Sequence, residues 1–297
     1  MAAQSWILYS LLSALFLAVV NIVDKYVITN LVKKPLTLVI FVAAMGLIPA
    51  LVIFAFHGFR GLPGPNYVLA FLAGAASLLM SLFYFQAARI EEISRLVPLF
   101  YVTPIFVSVF AWLFLGEVFP PQKYAGVLLL VAGAILVSAK KSSGFLPGKS
   151  FRLLILAAIF YAAYLVLSKH LLKTADFWTV FAVIRTSMFV TMMPVFFAGI
   201  SRHLGYFKQQ NSKAIALVAF NELLALLGSL LAVVAASTGP ITLVNALTSV
   251  QPFFVLVLAL FLSAAWPHLL KEEVSSKIVA LKFVAILLMA AGAALIT

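Results

Sequence analysis

Cysteine is absent from the chain, which excludes disulfides and thiolate metal sites. Acidic residues are nearly as scarce. Eight Asp and Glu stand against twenty Lys and Arg, and charged residues of all kinds make up 9% of the sequence. So few charges cannot cover a water-facing surface, and with 65% hydrophobic residues and a mean hydropathy of +1.19 a soluble domain is excluded. The histidines His57, His170, His203 and His268 fall at expected helix ends without metal-ligand spacing. No glycine-rich phosphate loop occurs, and no Ser/His/Asp grouping shares one face, so neither an enzyme, a cofactor nor a metal is expected. The net charge of +12 raises nucleic acid as a partner, but the basic residues lie between apolar runs, where anionic lipid is the ordinary partner.

What the chain has is apolar length. Hydrophobic runs of about twenty residues, each enough to cross a bilayer as a helix, lie near 5–28, 36–57, 66–89, 93–115, 122–140, 151–172, 177–199, 213–236, 242–265 and 279–297. Proline and glycine punctuate them, at Lys33-Lys34-Pro35, Gly61 to Pro65, Pro120-Pro121, Pro147-Gly148 and Gly239-Pro240. The opening run has no basic segment before it and is long enough to span, so it reads as a retained first helix. The fold class expected is an all-α polytopic membrane protein with ten transmembrane helices.

The runs repeat. Ile93 to Ala111 and Ile241 to Ala259, 148 positions apart, share eight of nineteen residues, among them Pro104 and Pro252. At an offset of 159, Ala132-Gly133-Ala134 matches Ala291-Gly292-Ala293, and at 144, Phe16, Ala18 and Lys25 match Phe160, Ala162 and Lys169. Five helices per copy is an odd number, so residues 1–144 and 145–297 are expected to form two five-helix repeats of inverted topology. Pro104 and Pro252 fall mid-run, where a missing backbone donor and a clash with the preceding turn bend or loosen a helix. Paired helix breaks at equivalent depth point to a transporter's binding site, or to packing kinks alone.

Ten helices in two copies, with Pro104-Ile105-Phe106-Val107 running into Phe114-Leu115-Gly116-Glu117 and then Gly126 to Gly133, resemble the drug/metabolite transporter (DMT) superfamily, EamA type. The second copy has Leu262-Ser263-Ala264-Ala265 where the first has Phe114 to Glu117, without the acid. The resemblance implies that four helices of each half line a central cavity, that the fifth and tenth are peripheral, and that transport runs outward.

Intramembrane charge selects the first candidates. An ionisable side chain at mid-bilayer costs about 3 kcal/mol unless paired or wet. Arg185 in the seventh run and Glu222 in the eighth meet that description, at depths differing by about one turn, so a salt bridge or a shared substrate site is expected. Permanent mutual neutralisation is the structural alternative. Glu222, Ala225 and Ser229 align with Gly74, Ser77 and Ser81 on one helical face, which suits a wet cavity or close packing. In the ninth run Asn245, Thr248, Ser249 and Gln251 cluster just before Pro252, and Tyr101, Tyr84 and Tyr164 offer aromatic walls and hydrogen bonds. Glu222 is the proton-coupling candidate. Asp24 beside Lys25 reads as an interfacial pair.

Together these give a secondary transporter, an exporter, of a small polar or zwitterionic metabolite such as an amino acid. The alternative within the fold is a carrier or flippase for a phosphorylated, nucleotide-sugar or lipid-linked solute, which needs more cavity cations than one arginine. Expected partners are a small-molecule substrate, membrane lipid and a proton as coupling ion, with no nucleic acid, in a monomer or homodimer of the inner or plasma membrane. Basic residues concentrate in the odd-numbered connections, which the positive-inside rule places in the cytoplasm with both termini outside; the resemblance implies the reverse.

Overall fold

The structure is a computed structural model and describes residues 5–27, 35–58, 61–90, 100–138, 148–198, 212–265 and 276–296. The basic odd-numbered connections and the 144/145 boundary lie outside the described residues. Lipid offers the backbone no hydrogen-bond partner, so apolar runs must close their own bonds as helices. The first half comprises α1 (Ser5–Tyr26), α2 (Pro35–His57), α3 (Gly64–Ile90), α4 (Thr103–Leu115) and α5 (Pro121–Ser138). The second comprises α6 (Gly148–Leu171), α7 (Phe177–Ala198), α8 (Ser212–Thr238), α9 (Ile241–Thr248), α10 (Gln251–Ala265) and α11 (Ser276–Ile296). Among the described residues, seven helical stretches are long and apolar enough to cross a membrane, one of them running through α9 into α10, and three shorter apolar helices, 103–115, 121–136 and 281–296, accompany them. The protein is an all-α polytopic membrane protein.

The expected bends at the paired prolines are complete breaks. A two-residue turn at Ser249-Val250 separates α9 from α10, and Tyr101-Val102 form the same turn ahead of α4. Each proline then occupies the first turn of the following helix, where its missing N–H has no helical partner to lose. The bonds that close these turns correspond across the offset of 148: the Ile105 N–H donates to Val102 at 3.0 Å and the Phe253 N–H to Val250 at 2.9 Å.

Packing exchanges equivalent helices between the halves. α1 lies along α8 as α6 lies along α3, and α4 meets α6 as α9 and α10 meet α1. α2 packs on α7, and α5 on α11. The α5–α11 pair is drawn close by Gly126 and Gly292, where a Cβ on Gly292 would come 2.7 Å from the Gly126 carbonyl. The exchange is uneven in one place: α3 packs extensively on α7, whereas α8 touches α2 sparingly.

Candidate functional site

A cavity of about 270 Å³ opens among helices of both halves. α1 contributes Leu17, Val20, Asn21 and Asp24, one helical face, and α6 contributes Tyr161, Tyr164, Leu165 and Ser168. The offset of 144 carries the first four onto the second four, so the walls are equivalent surfaces of the two halves. α3 and α8 add Ser77 with Ser81 and Ala225 with Ser229, related by 148. Nothing from α5 or α11 lines the space.

The equivalence fails at Glu222. Its counterpart Gly74 is pressed against α7, where a Cβ would sit 2.6 Å from the Met188 nitrogen and 2.7 Å from Ser187 Cβ. On the other side α8 stands off α2, and Glu222, 8% exposed, reaches the cavity instead. One helix closes on its neighbour with glycine; the other presents a carboxylate.

Arg185 also lines the cavity. Its Nη2 donates to Ser229 Oγ, which donates to the Leu226 carbonyl at 3.0 Å, and its guanidinium lies 5.1 Å over the Phe181 ring centroid. The expected salt bridge to Glu222 is not formed; the ion pair among the described residues is His57–Asp176. Ser229 lies two turns beyond Glu222 along α8, about 10 Å, so an arginine bonded there cannot also close on the carboxylate. Glu222 lies within electrostatic range of both Arg185 and Asp24.

Asp24 takes a place the sequence pattern does not assign to it. It faces the cavity, and Asn221 Nδ2, on a 3%-exposed side chain, donates to its Oδ1 at 2.6 Å. The Lys25 side chain, its expected partner, lies outside the described residues. A signal was available: Asp24 aligns with Ser168 at the offset of 144, and the i, i+3, i+4, i+7 spacing from Leu17 marks a single face.

Of the other sequence candidates, Tyr84, Tyr101, Tyr164 and Gln251 line the cavity with Arg185 and Glu222. Tyr84, Phe100, Tyr161 and Tyr164 form a continuous aromatic wall, with successive centroids 5.5, 5.6 and 6.0 Å apart. Tyr101 is hydrogen-bonded by the Asn21 side chain, and Gln251 Nε2 donates to the Leu17 carbonyl at 2.9 Å, tying the α9–α10 break to α1. Asn245, Thr248 and Ser249 are buried away from the cavity lining. Thr248 donates to the Val244 carbonyl at 2.8 Å and Ser249 to that of Ala246 at 2.5 Å, while Asn245 Oδ1 has no hydrogen-bond partner. Among the described residues no three His, Asp or Glu gather as metal ligands.

A largely apolar, aromatic-walled cavity between membrane helices, with an arginine and two acidic side chains on its wall, suits a membrane carrier of small molecules. A model described as the EamA-like transporter family matches residues 4–139. A Sinorhizobium sp protein described as "Uncharacterized transporter in cobO 3'region" is 30% identical over 138 residues, covering 46% of this chain and 98% of that relative. A solved crystal structure of another protein superposes with a TM-score of 0.68 over 100% of this chain and 96% of its own, at 18% identity, and so shares the fold. The chain belongs to the EamA-like transporter family of the DMT superfamily, and is an integral membrane transporter of a small-molecule substrate.

Proposed function

We propose that the protein is a secondary transporter exporting a small polar or zwitterionic metabolite such as an amino acid, by alternating access between inverted repeats at 1–144 and 145–297. The observation that carries this reading is that Arg185 and Glu222 face one cavity and do not pair. The guanidinium is available to a solute carboxylate, and Glu222, when ionised, to an ammonium. An ionised side chain in a membrane interior costs about 3 kcal/mol unless paired or wet, which fits side chains that face a solute cavity. The aromatic wall supplies apolar contact for the remainder of the solute. Glu222 is the proton-coupling candidate, and Asp24 adds a second carboxylate on the same wall. Two acids to one arginine disfavour a phosphorylated solute.

The test is thermal stabilisation of the purified protein across amino acids, nucleotide sugars and cationic drugs, followed by counterflow in proteoliposomes with whatever stabilises. Mass action raises stability for a true ligand, and zwitterionic amino acids are expected to do so. Stabilisation by nucleotide sugars alone would overturn the assignment.

A further inference from the structure

The Gly116-Glu117 sequence that marks the end of α4 lies outside the cavity lining, yet its carboxylate is fully engaged. Gly116, at φ 70°, turns the chain out of α4, a left-handed conformation that favours glycine. Glu117 then reaches into the other half. Its Oε1 accepts the Ile241 N–H at 2.9 Å and its Oε2 the Thr242 N–H at 3.2 Å, capping the start of α9. On the other side of the same turn, Lys169 Nζ donates to the carbonyls of Ala236 at 2.6 Å and Gly239 at 2.7 Å, closing the end of α8. Carboxylate and ammonium thus hold the α8–α9 turn from both sides, each matched in sign to the helix end it meets.

This clamp sits directly behind one end of the cavity. Ala236 and Ile241, whose backbone groups it grips, also line the cavity, as does Ser168 next to Lys169. At the equivalent positions of the repeat the sequence supplies half of such a clamp: Lys25 aligns with Lys169, but Ala265 aligns with Glu117. We infer that Glu117 and Lys169 are positioning residues for transport, forming a one-sided gate that holds the α8–α9 turn shut across one end of the solute cavity. A solute leaving by that end must wait for the turn to swing, and the single carboxylate biases the protein towards the state closed there. The inference rests on the alternating-access reading but not on any solute's identity.

Because the natural chain has no cysteine, single introduced thiols report access without background. Ser168→Cys marks the gated end and Ser81→Cys the opposite part of the cavity wall. Each is labelled with an impermeant maleimide in right-side-out and inside-out vesicles, in the parent and in Glu117→Gln. Removing the carboxylate charge is expected to speed labelling at Ser168→Cys from the Glu117 face about tenfold, as loss of one charge-assisted contact does to a two-state population, and to slow it at Ser81→Cys from the other. A rise at both thiols marks simple loosening and overturns the gate, as does no change at either. Should Glu117→Gln not fold, Lys169→Gln releases the same turn from the α8 side and is held to the same outcomes. The labelling needs no solute, so it tests the gate even where a solute screen fails.

Discussion

Arg185 and Glu222 behave as separate charges, not as a bridge, and their substitutions are expected to show it. Arg185→Ala and Glu222→Gln should each abolish transport. Their stability losses should not cancel in the double variant, because no bridge joins them, and transport should not return. Thermal unfolding beside proteoliposome uptake measures both; a double variant as stable as the parent would restore the mutual-neutralisation alternative. Arg185→Lys should fail as well, since an ammonium reproduces neither the bond to Ser229 nor the stacking on Phe181.

At the membrane surface Asp176 offers a pH-dependent contact. Burial raises its pKa, but hydrogen bonds from Thr179 and Trp178 and the charge of His57, 3.1 Å away, outweigh it and hold the carboxyl below its ordinary 3.8. A depressed native pKa contributes stability that is present above the ordinary value and lost as pH falls through the native one. The Tm gap between the parent and Asp176→Asn should therefore be full above about pH 5, begin to narrow as pH approaches the ordinary 3.8 and go on narrowing below it, through the depressed native pKa. A gap as wide at about pH 2 as at neutral pH would show that packing, not charge, ties α2 to α7.

Among elements, the α9–α10 break is the feature the chain announces most clearly and the one that most misleads a helical wheel. Pro104 and Pro252 are visible at equal positions of the repeat. The cluster of Asn245, Thr248, Ser249 and Gln251, however, assumes unbroken 3.6-residue winding, and the turn at 249–250 resets the phase of Gln251 against the other three. Gln251, just past it, reaches the cavity, whereas the three residues before it are buried elsewhere. Asp24 is hidden from the pattern for another reason. Nearness to Lys25 and the helix end looks interfacial, and only Asn221 and the α1–α8 contact reveal a cavity wall. Arg185 and Glu222 stand out because charge in an apolar run is rare. The Asp24–Asn221 bond does not, because it joins residues 197 positions apart.

Pro252→Ala restores an N–H that can donate to the Thr248 carbonyl and stitch α9 onto α10. It should slow uptake far more than it lowers Tm, provided that surface expression is retained. Near-normal uptake by a well-expressed variant would mean that the break serves packing alone.

For the whole molecule, the helices that line the cavity are separate from the α5–α11 pair. α5 and α11 meet through glycine, where a Gly292→Leu side chain would collide with the Gly126 carbonyl and Leu130. Overpacking of this kind costs about 1–3 kcal/mol, so Tm should drop while uptake per folded molecule stays near the parent's. A fall in the per-molecule rate would join the peripheral pair to the transport cycle.

The exchanged packing of α1 on α8 and α6 on α3 also governs biogenesis. As the chain leaves the ribosome, α1 and α3 enter the bilayer before the helices that cover them exist, so their polar faces, Asp24 included, wait beside lipid until the second half is made. The nascent first half is then the species most exposed to membrane quality control. Two separately synthesised halves, cut between residues 144 and 145, should each be degraded alone and rescue one another when produced together.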